Sequence, residues 1–225
     1  DESEHRRDEP YRLALSAIYR RVAATACAFE GPLTEREANS NPRPYAHANE
    51  LRRDLDIIAD SLVRHGSARI ARGRLRSLRR AAQVFGFHLT PLDLRQNSSV
   101  HERVVAELFR VGARRDGYIR LDEPGRRRWL LEELMVPRLL RSPHVSYSDE
   151  TQRELQIFDT AAELYRRYGR EALPTTVVST ATAMSDLLET ALLLKEAGLL
   201  RPGEGSTLAM NIVPLFETID GLRQS

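Results

Sequence analysis

The sequence has a single cysteine, Cys27, and a single lysine, Lys195, in 225 residues. One thiol cannot close an internal disulfide, so a disulfide-stapled secreted scaffold is excluded and a reducing compartment is the simplest setting. Aromatic residues make up only 6%. No unbroken apolar run reaches the roughly 20 residues that a membrane-spanning helix needs. Even the most apolar stretch, Leu187 to Leu200, is interrupted by Glu189, Lys195 and Glu196. There is also no excess of one charge: 34 basic and 32 acidic groups leave a net +2, which is no global argument for nucleic acid. All basic residues but one are arginine, a bias that GC-rich coding would produce. The opening residues, Asp1 to Arg7, hold neither an initiator methionine nor an apolar signal core. The expectation is therefore a piece of a longer chain.

What is present, 41% hydrophobic and 29% charged residues, describes a globular protein with one substantial core or two small ones. Pro10 suits the first turn of a helix, with Asp8 and Glu9 complementing its dipole. Leu13, Ile18, Val22 and Phe29 keep a helical spacing as far as Gly31 and Pro32. Residues 34–47 read as a loop. Further helices are predicted over Asn49–His65, with Leu51, Leu55, Ile58 and Leu62 on one face, and over Ser67–Val84. The run Phe87 to Arg95, broken by Pro91, reads as a strand. Ser99 and Glu102 have capping-box spacing for a helix that carries Val100, Val104, Leu108 and Val111 and ends at Gly112. Helices then follow over Glu123–Met135 and Ser148–Tyr168, a strand over Thr175–Ser179, and a helix over Asp186–Ala197 capped by Ser185. The chain closes with a strand over Leu208–Phe216 and the first turn of a helix over Glu217–Leu222. This order favours parallel strands joined by crossovers. The predicted division is a helical segment, 1–85, and an α/β segment, 86–225.

In parallel α/β folds ligands gather at the carboxyl ends of strands. Three such ends carry polar residues. At the first, Asp93 and Arg95 share a face; Arg95 could grip a phosphate or carboxylate, or form a structural ion pair with Asp93. The second, Ser179 to Asp186, offers hydroxyls, although Ser185 also suits a helix cap. The third ends in Glu217, a carboxylate closing an apolar strand, which requires a cation or a hydrogen-bond donor. A divalent metal or a helix N-cap role would each serve. The six histidines, including His88 and His101, show no metal-ligand spacing. Cys27 reads as a small core residue. The densest basic run, Arg69 to Arg80, could bind nucleic acid, but Ile70, Leu75, Leu78 and Ala82 give it a packed face, and its other face reads as merely solvated.

Together these segments resemble a known family. Phe85-Gly86-Phe87-His88-Leu89 leads into Leu92-Asp93-Leu94-Arg95-Gln96-Asn97-Ser98 and then Val100-His101-Glu102-Arg103. Ser185-Asp186-Leu187-Leu188-Glu189 precedes Leu194-Lys195-Glu196-Ala197-Gly198, and Val213-Pro214-Leu215-Phe216-Glu217-Thr218-Ile219-Asp220 closes the series. With the opening Glu9-Pro10-Tyr11-Arg12 and Ile18-Tyr19, these closely resemble phosphoenolpyruvate carboxylase of the bacterial type. The resemblance implies a helix-dominated α/β fold: a partial (β/α)8-type barrel with about three parallel strands and extra surrounding helices. It further implies a cytoplasmic, allosteric homotetramer that converts phosphoenolpyruvate and bicarbonate to oxaloacetate and phosphate with Mg²⁺ or Mn²⁺. In the family reaction bicarbonate attacks phosphorus, giving carboxyphosphate and an enolate that captures the released CO2. Arg95 then corresponds to the arginine that holds the substrate phosphate, and Glu217 to one of two metal-binding carboxylates.

Gly221 departs from the family, where many members have aspartate. The family's His-Pro-Thr-Glu block, its second metal carboxylate and its glycine-rich loop do not occur in the 225 residues. The expectation is a central fragment that is inactive alone and makes no membrane or nucleic-acid contact. The alternatives are a non-catalytic helical binding module derived from the same family, or another metal-dependent barrel enzyme acting on an enolpyruvate or 2-oxo acid.

Overall fold

The computed structural model describes residues 8–30, 42–203 and 205–224. Two compact units divide the chain, Asp1–Thr90 and Pro91–Ser225.

The first unit is helical: α1 (Pro10–Glu30), α2 (Ala48–Arg64), α3 (Ala68–Ala71) and α4 (Arg74–Phe85). The spacing of Leu51, Leu55, Ile58 and Leu62 predicts the inner face of α2, and all four are buried with Ile18, Tyr45 and Ala82. Arg21 fastens α1 to α2: its guanidinium donates to Glu50 and Asp54 at 2.9 and 3.0 Å and lies 3.8 Å from the Tyr45 ring centre. The helix predicted over Ser67–Val84 is instead two helices, because Gly73 leaves the helical region at ψ −132°. The apolar face expected there is also narrower, since Ile70 and Leu78 are exposed. On α1, Leu13 and Val22 are exposed as well, and Cys27 is half-buried rather than core. Residues 34–41 of the predicted loop, and Gly31 and Pro32, lie outside the described residues.

The second unit is a helix-dominated α/β structure. Its strands β1 (Asp93–Asn97), β2 (Thr175–Ser179) and β5 (Asn211–Leu215) form a parallel sheet in the order β1-β2-β5. Its helices are α5 (Ser98–Gly112), α6 (Glu123–Leu134), α7 (Asp149–Tyr168), α8 (Met184–Glu196) and a final turn, α9 (Ile219–Gln224). A small hairpin, β3 (Leu200–Arg201) and β4 (Thr207–Leu208), sits between α8 and β5. One strand was predicted over Leu208–Phe216. The chain instead turns through Ala209 and Met210, and Met210 is fully buried. The first strand also starts later than expected: the segment after α4 folds back, with Leu89 N–H bonded to Phe85 O and Leu89 at φ 64°. β2 occupies the predicted residues.

Two predicted caps are replaced by better ones. Asn97, not Ser99, caps α5 by accepting from Ser99 N–H at 2.9 Å, and Glu102 turns away to Arg126. Ala183 is the N-cap position of α8, and the Asp186 carboxylate reaches back to the N–H groups of Thr182 and Ala183 at 2.7 and 3.0 Å. Ser185, one residue inside the helix, is held instead by Glu123 through N–H and Oγ at 3.0 and 2.6 Å.

The helix α5 ends at Gly112, as expected. A second role of this glycine is close approach: a Cβ there would lie 2.1 Å from the backbone oxygen of Leu140. That oxygen cannot retreat easily, because Leu140 N–H is bonded to the buried Glu196 carboxylate at 2.9 Å. Gly112→Ala is therefore expected to cost about 3 kcal/mol, the upper end for overpacking, read as a lowered urea midpoint. An unchanged midpoint would show that the two backbones are not in contact.

Candidate functional site

The three parallel strands end level. Asn97 registers with Ser179, and Ser179 with Leu215. Side chains alternate along each strand. Leu94 and Ile212 therefore pack on the main core, while Arg95 and Ser179 project from the opposite face. Arg95 stands in register with Val177, which is itself in register with Val213.

Arg95 and Glu217 are 122 residues apart in sequence and meet here. The Arg95 Nη2 donates to Glu217 Oε1 at 2.8 Å, and its Nε donates to Ser179 Oγ at 2.8 Å. The pair is open to solvent, with side chains 59% and 35% exposed. Asp93, which the sequence offered as an ion-pair partner, makes no salt bridge to Arg95 among the described residues. The cation that Glu217 requires is the Arg95 guanidinium. Nη1 of Arg95 has no hydrogen-bond partner among the described residues, so one arm of the fork points to no protein acceptor. Nothing in the sequence marks Ser179 as the group that orients this arginine. The signal was its place at the end of the neighbouring strand, on the Arg95 face.

Beside this pair, the loops after β1 and β2 are tied together. Ser98 Oγ donates to Thr180 O at 3.0 Å, and Thr180 sits in the left-handed region at φ 55°. A cleft of about 360 Å³ opens next to them, lined by Ser98, Ser99, Glu102, Arg126, Thr182 and Asp186 among others. Its one guanidinium, Arg126, is already hydrogen-bonded to Glu102, and its other carboxylates, Glu123 and Asp186, are taken by Ser185 and by the N–H groups of Thr182 and Ala183.

Behind the sheet end, α8 carries polar groups that sequence reasoning overlooked. Fully buried Glu189 accepts from Tyr118 Oη at 2.7 Å, and its Oε2 has no partner among the described residues. Burial pushes the Glu189 carboxyl up to about 8, the Tyr118 hydrogen bond opposes this, and nearby Asp186 and Glu102 add to it. His101, also fully buried, contacts Thr190 Oγ1 through Nδ1 at 3.0 Å and Glu154 through Nε2 at 3.2 Å. Thr190 spends its own proton on Asp186 O, at 3.0 Å, so His101 Nδ1 is the donor to it. Among the described residues no three His, Cys, Asp or Glu side chains gather as a metal site, and no helix is long and apolar enough to cross a membrane.

Comparison with known proteins now adds to the geometry. All of residues 1–225 match the family model described as phosphoenolpyruvate carboxylase. A phosphoenolpyruvate carboxylase of Aromatoleum aromaticum is 58% identical over 99% of this chain and 24% of its own length. Those of Azoarcus sp. and Bradyrhizobium diazoefficiens are 53% and 50% identical over 100% of the chain and, in each case, 24% of theirs. The chain thus spans about a quarter of the length of the curated relatives it matches. The resemblance carried by the three motif blocks is borne out.

The Glu189 environment makes a sign-definite prediction. Its carboxyl is neutral in the folded chain up to about pH 8 but ionises near 4.5 when unfolded. The folded state therefore binds the extra proton between these values, and stability falls as pH rises through that window, by roughly 3–5 kcal/mol. Glu189→Gln keeps an acceptor for Tyr118 and should remove that part of the slope. Urea unfolding from pH 5 to 8.5 checks it. Parallel pH profiles for the two proteins would refute the assignment.

Proposed function

The chain belongs to the phosphoenolpyruvate carboxylase family, and on that premise we propose that residues 1–225 form part of an active site that joins bicarbonate to phosphoenolpyruvate, yielding oxaloacetate and phosphate. The observation that supports this most is the meeting of Arg95 and Glu217 at the carboxyl end of the parallel sheet, 2.8 Å apart.

Arg95 binds the phosphoryl group. A guanidinium presents paired N–H donors that match phosphate oxygens, and Ser179 fixes the plane of the fork from the Nε side. The Nη1 arm is available for the first contact with substrate. Nη2 follows when Glu217 releases it.

Glu217 is a hard oxygen donor and suits Mg²⁺ or Mn²⁺, which are commonly held by one or two carboxylates with substrate and water completing the shell. One carboxylate beside a phosphate-binding arginine fits such a metal as a contributing ligand. When bound, the metal supplies a positive charge that stabilises the enolate oxygen. The sheet itself we read as a portion of a (β/α)8-type barrel, with the Arg95 face turned inward. In this reading the whole protein is a cytoplasmic, allosteric homotetramer. Residues 1–225 taken alone do not turn over, because they hold no His-Pro-Thr-Glu block and only one of the two metal carboxylates.

In the full-length carboxylase, Arg95→Ala is expected to raise the KM for phosphoenolpyruvate about 100-fold, the loss of one to two charge-assisted hydrogen bonds. Ser179→Ala should raise it about tenfold, since it loosens one anchoring bond. Glu217→Gln should weaken Mn²⁺ binding seen by electron paramagnetic resonance, independently of turnover. An unchanged KM in Arg95→Ala would sink the phosphate assignment. Oxaloacetate formation by residues 1–225 alone, followed through malate dehydrogenase and NADH, would sink the incomplete-site reading.

A further inference from the structure

The densest basic run of the sequence is not simply a solvated helix face. Gly73 breaks it, and α4 then presents Arg76, Arg79, Arg80 and Gln83 at successive helical positions along one side. Opposite them, α2 presents Arg52 and Asp56, one turn apart. These six side chains line a groove of about 580 Å³ within the first unit. No apolar side chain lines it. Four guanidinium groups face one carboxylate, a local excess of three positive charges.

Several arginines elsewhere have an acidic partner. Arg21 has Glu50 and Asp54, Arg103 has Glu150, Arg115 has Glu132, and Arg141 has Asp159. In the groove the single acid is already committed. Asp56 Oδ1 accepts from Arg79 Nε at 2.6 Å and lies 2.5 Å from its Nη2, an ion pair that holds that guanidinium in place. Arg80 is steadied by Gln83 Oε1 at 3.2 Å. Arg52 and Arg76 have no acidic partner among the described residues. Apart from the Arg79–Asp56 bond, which joins α4 to α2, the cations brought together this way repel one another, and an anion seated among them removes the repulsion.

We propose that this groove binds a small anion carrying two or more phosphate groups. Several features select that class. Arginine forks match phosphate oxygens in pairs. A charge excess of three suits a polyanion better than a single monoanion. The volume lies within the range of small-ligand sites, about 300–1,000 Å³. An extended nucleic-acid track is less suited: α4 has 12 residues, about 18 Å of helix, and Asp56 stands in the middle of the path. The proposal is independent of the sheet-end site.

Isothermal titration of the intact chain with inorganic pyrophosphate, at about 0.15 M ionic strength, tests it. The expected result is saturable binding of one pyrophosphate per chain, with a rise in melting temperature. The double variant Arg52→Gln/Arg76→Gln should weaken it at least tenfold while keeping the wild-type circular dichroism spectrum. Arg120→Gln, an exposed change in the second unit, should leave it unaltered. Arg95→Ala should also leave it unaltered, which separates this groove from the phosphate site proposed above. Undiminished binding in the double variant overturns the proposal, as does binding lost in Arg95→Ala alone. So does the absence of saturable binding. Duplex DNA that binds at comparable strength and displaces pyrophosphate would replace a small-ligand site with a nucleic-acid surface.

Discussion

Residues 91–225 are organised by one constraint: α8 is buried nearly all round yet carries charge. Ten of its 13 residues are buried, including Asp186, Glu189, Lys195 and Glu196. No polar face remains on which these side chains could reach water. A polar side chain in such surroundings, and an ionised one above all, costs several kcal/mol unless a partner is built for it, even where, as for Glu189, the carboxyl stays neutral up to about pH 8. Each therefore has one, supplied by a different segment. Asp186 takes the N–H groups of Thr182 and Ala183. Glu189 takes Tyr118 Oη. Lys195 Nζ donates to Glu133 O at 2.7 Å and lies 3.6 Å from its carboxylate. Glu196 receives the N–H groups of Leu140 and Arg141, both at 2.9 Å. Burial pulls the Lys195 ammonium below its usual range, while Glu133 and Glu196 pull the other way.

These bonds determine where the loops go. The 3₁₀ turn at Tyr118, the end of α6 at Glu133 and the Leu140–Arg141 segment are irregular or terminal pieces of chain, and each is docked by a polar contact to α8. Thr190 adds α5 and α7 through His101 and Glu154. The apolar core of Val104, Leu108, Phe109, Phe158 and Leu192–Leu194 supplies most of the driving force, but apolar contacts are tolerant of slippage. The directional bonds from α8 set the register. In this way the carboxyl ends of β1 and β2 are held against a helix that cannot rotate, and Arg95 is presented from a fixed frame.

How much of this the sequence disclosed follows from the range of each signal. Local periodicity was enough for α2, because Leu51, Leu55, Ile58 and Leu62 repeat at helical spacing, and for β2, because Thr175-Thr176-Val177-Val178-Ser179 is β-branched and bounded by Pro174. Local chemistry misled where a distant partner won. Ser185 has the right side chain for a cap, but Glu123, 62 residues away, claims its N–H and Oγ. Gly112 does end its helix, but its second role, making room for Leu140 O, depends on a segment 28 residues away. For the candidate site, strand-end logic picked out Arg95 and Glu217 separately, and motif resemblance gave each a role. Their juxtaposition and the part played by Ser179 depend on strand register, which single-strand patterns do not encode.

The burial of the charges also separates structural from adaptable groups. The pair Lys195–Glu133 is almost fully enclosed, at 1% and 5% side-chain exposure. Removing Glu133 would strand the Lys195 ammonium in a dry interior, typically a loss of about 3–5 kcal/mol, and Glu133 is also held by Arg138 Nη2 at 2.9 Å, so this pair is committed to the fold. The Arg95–Glu217 pair is open to water, and exposed ion pairs are worth only about 0–1 kcal/mol. Parting it is cheap. In the proposed reaction both members must exchange each other for a ligand, the arginine for a phosphate and the carboxylate for a cation. Each exchange frees the other partner, so the two ligands assist one another without any movement of the backbone. A strong, buried pair at this position would hold the same geometry but would oppose both ligands. The weak pair holds the two groups in place and yields to either.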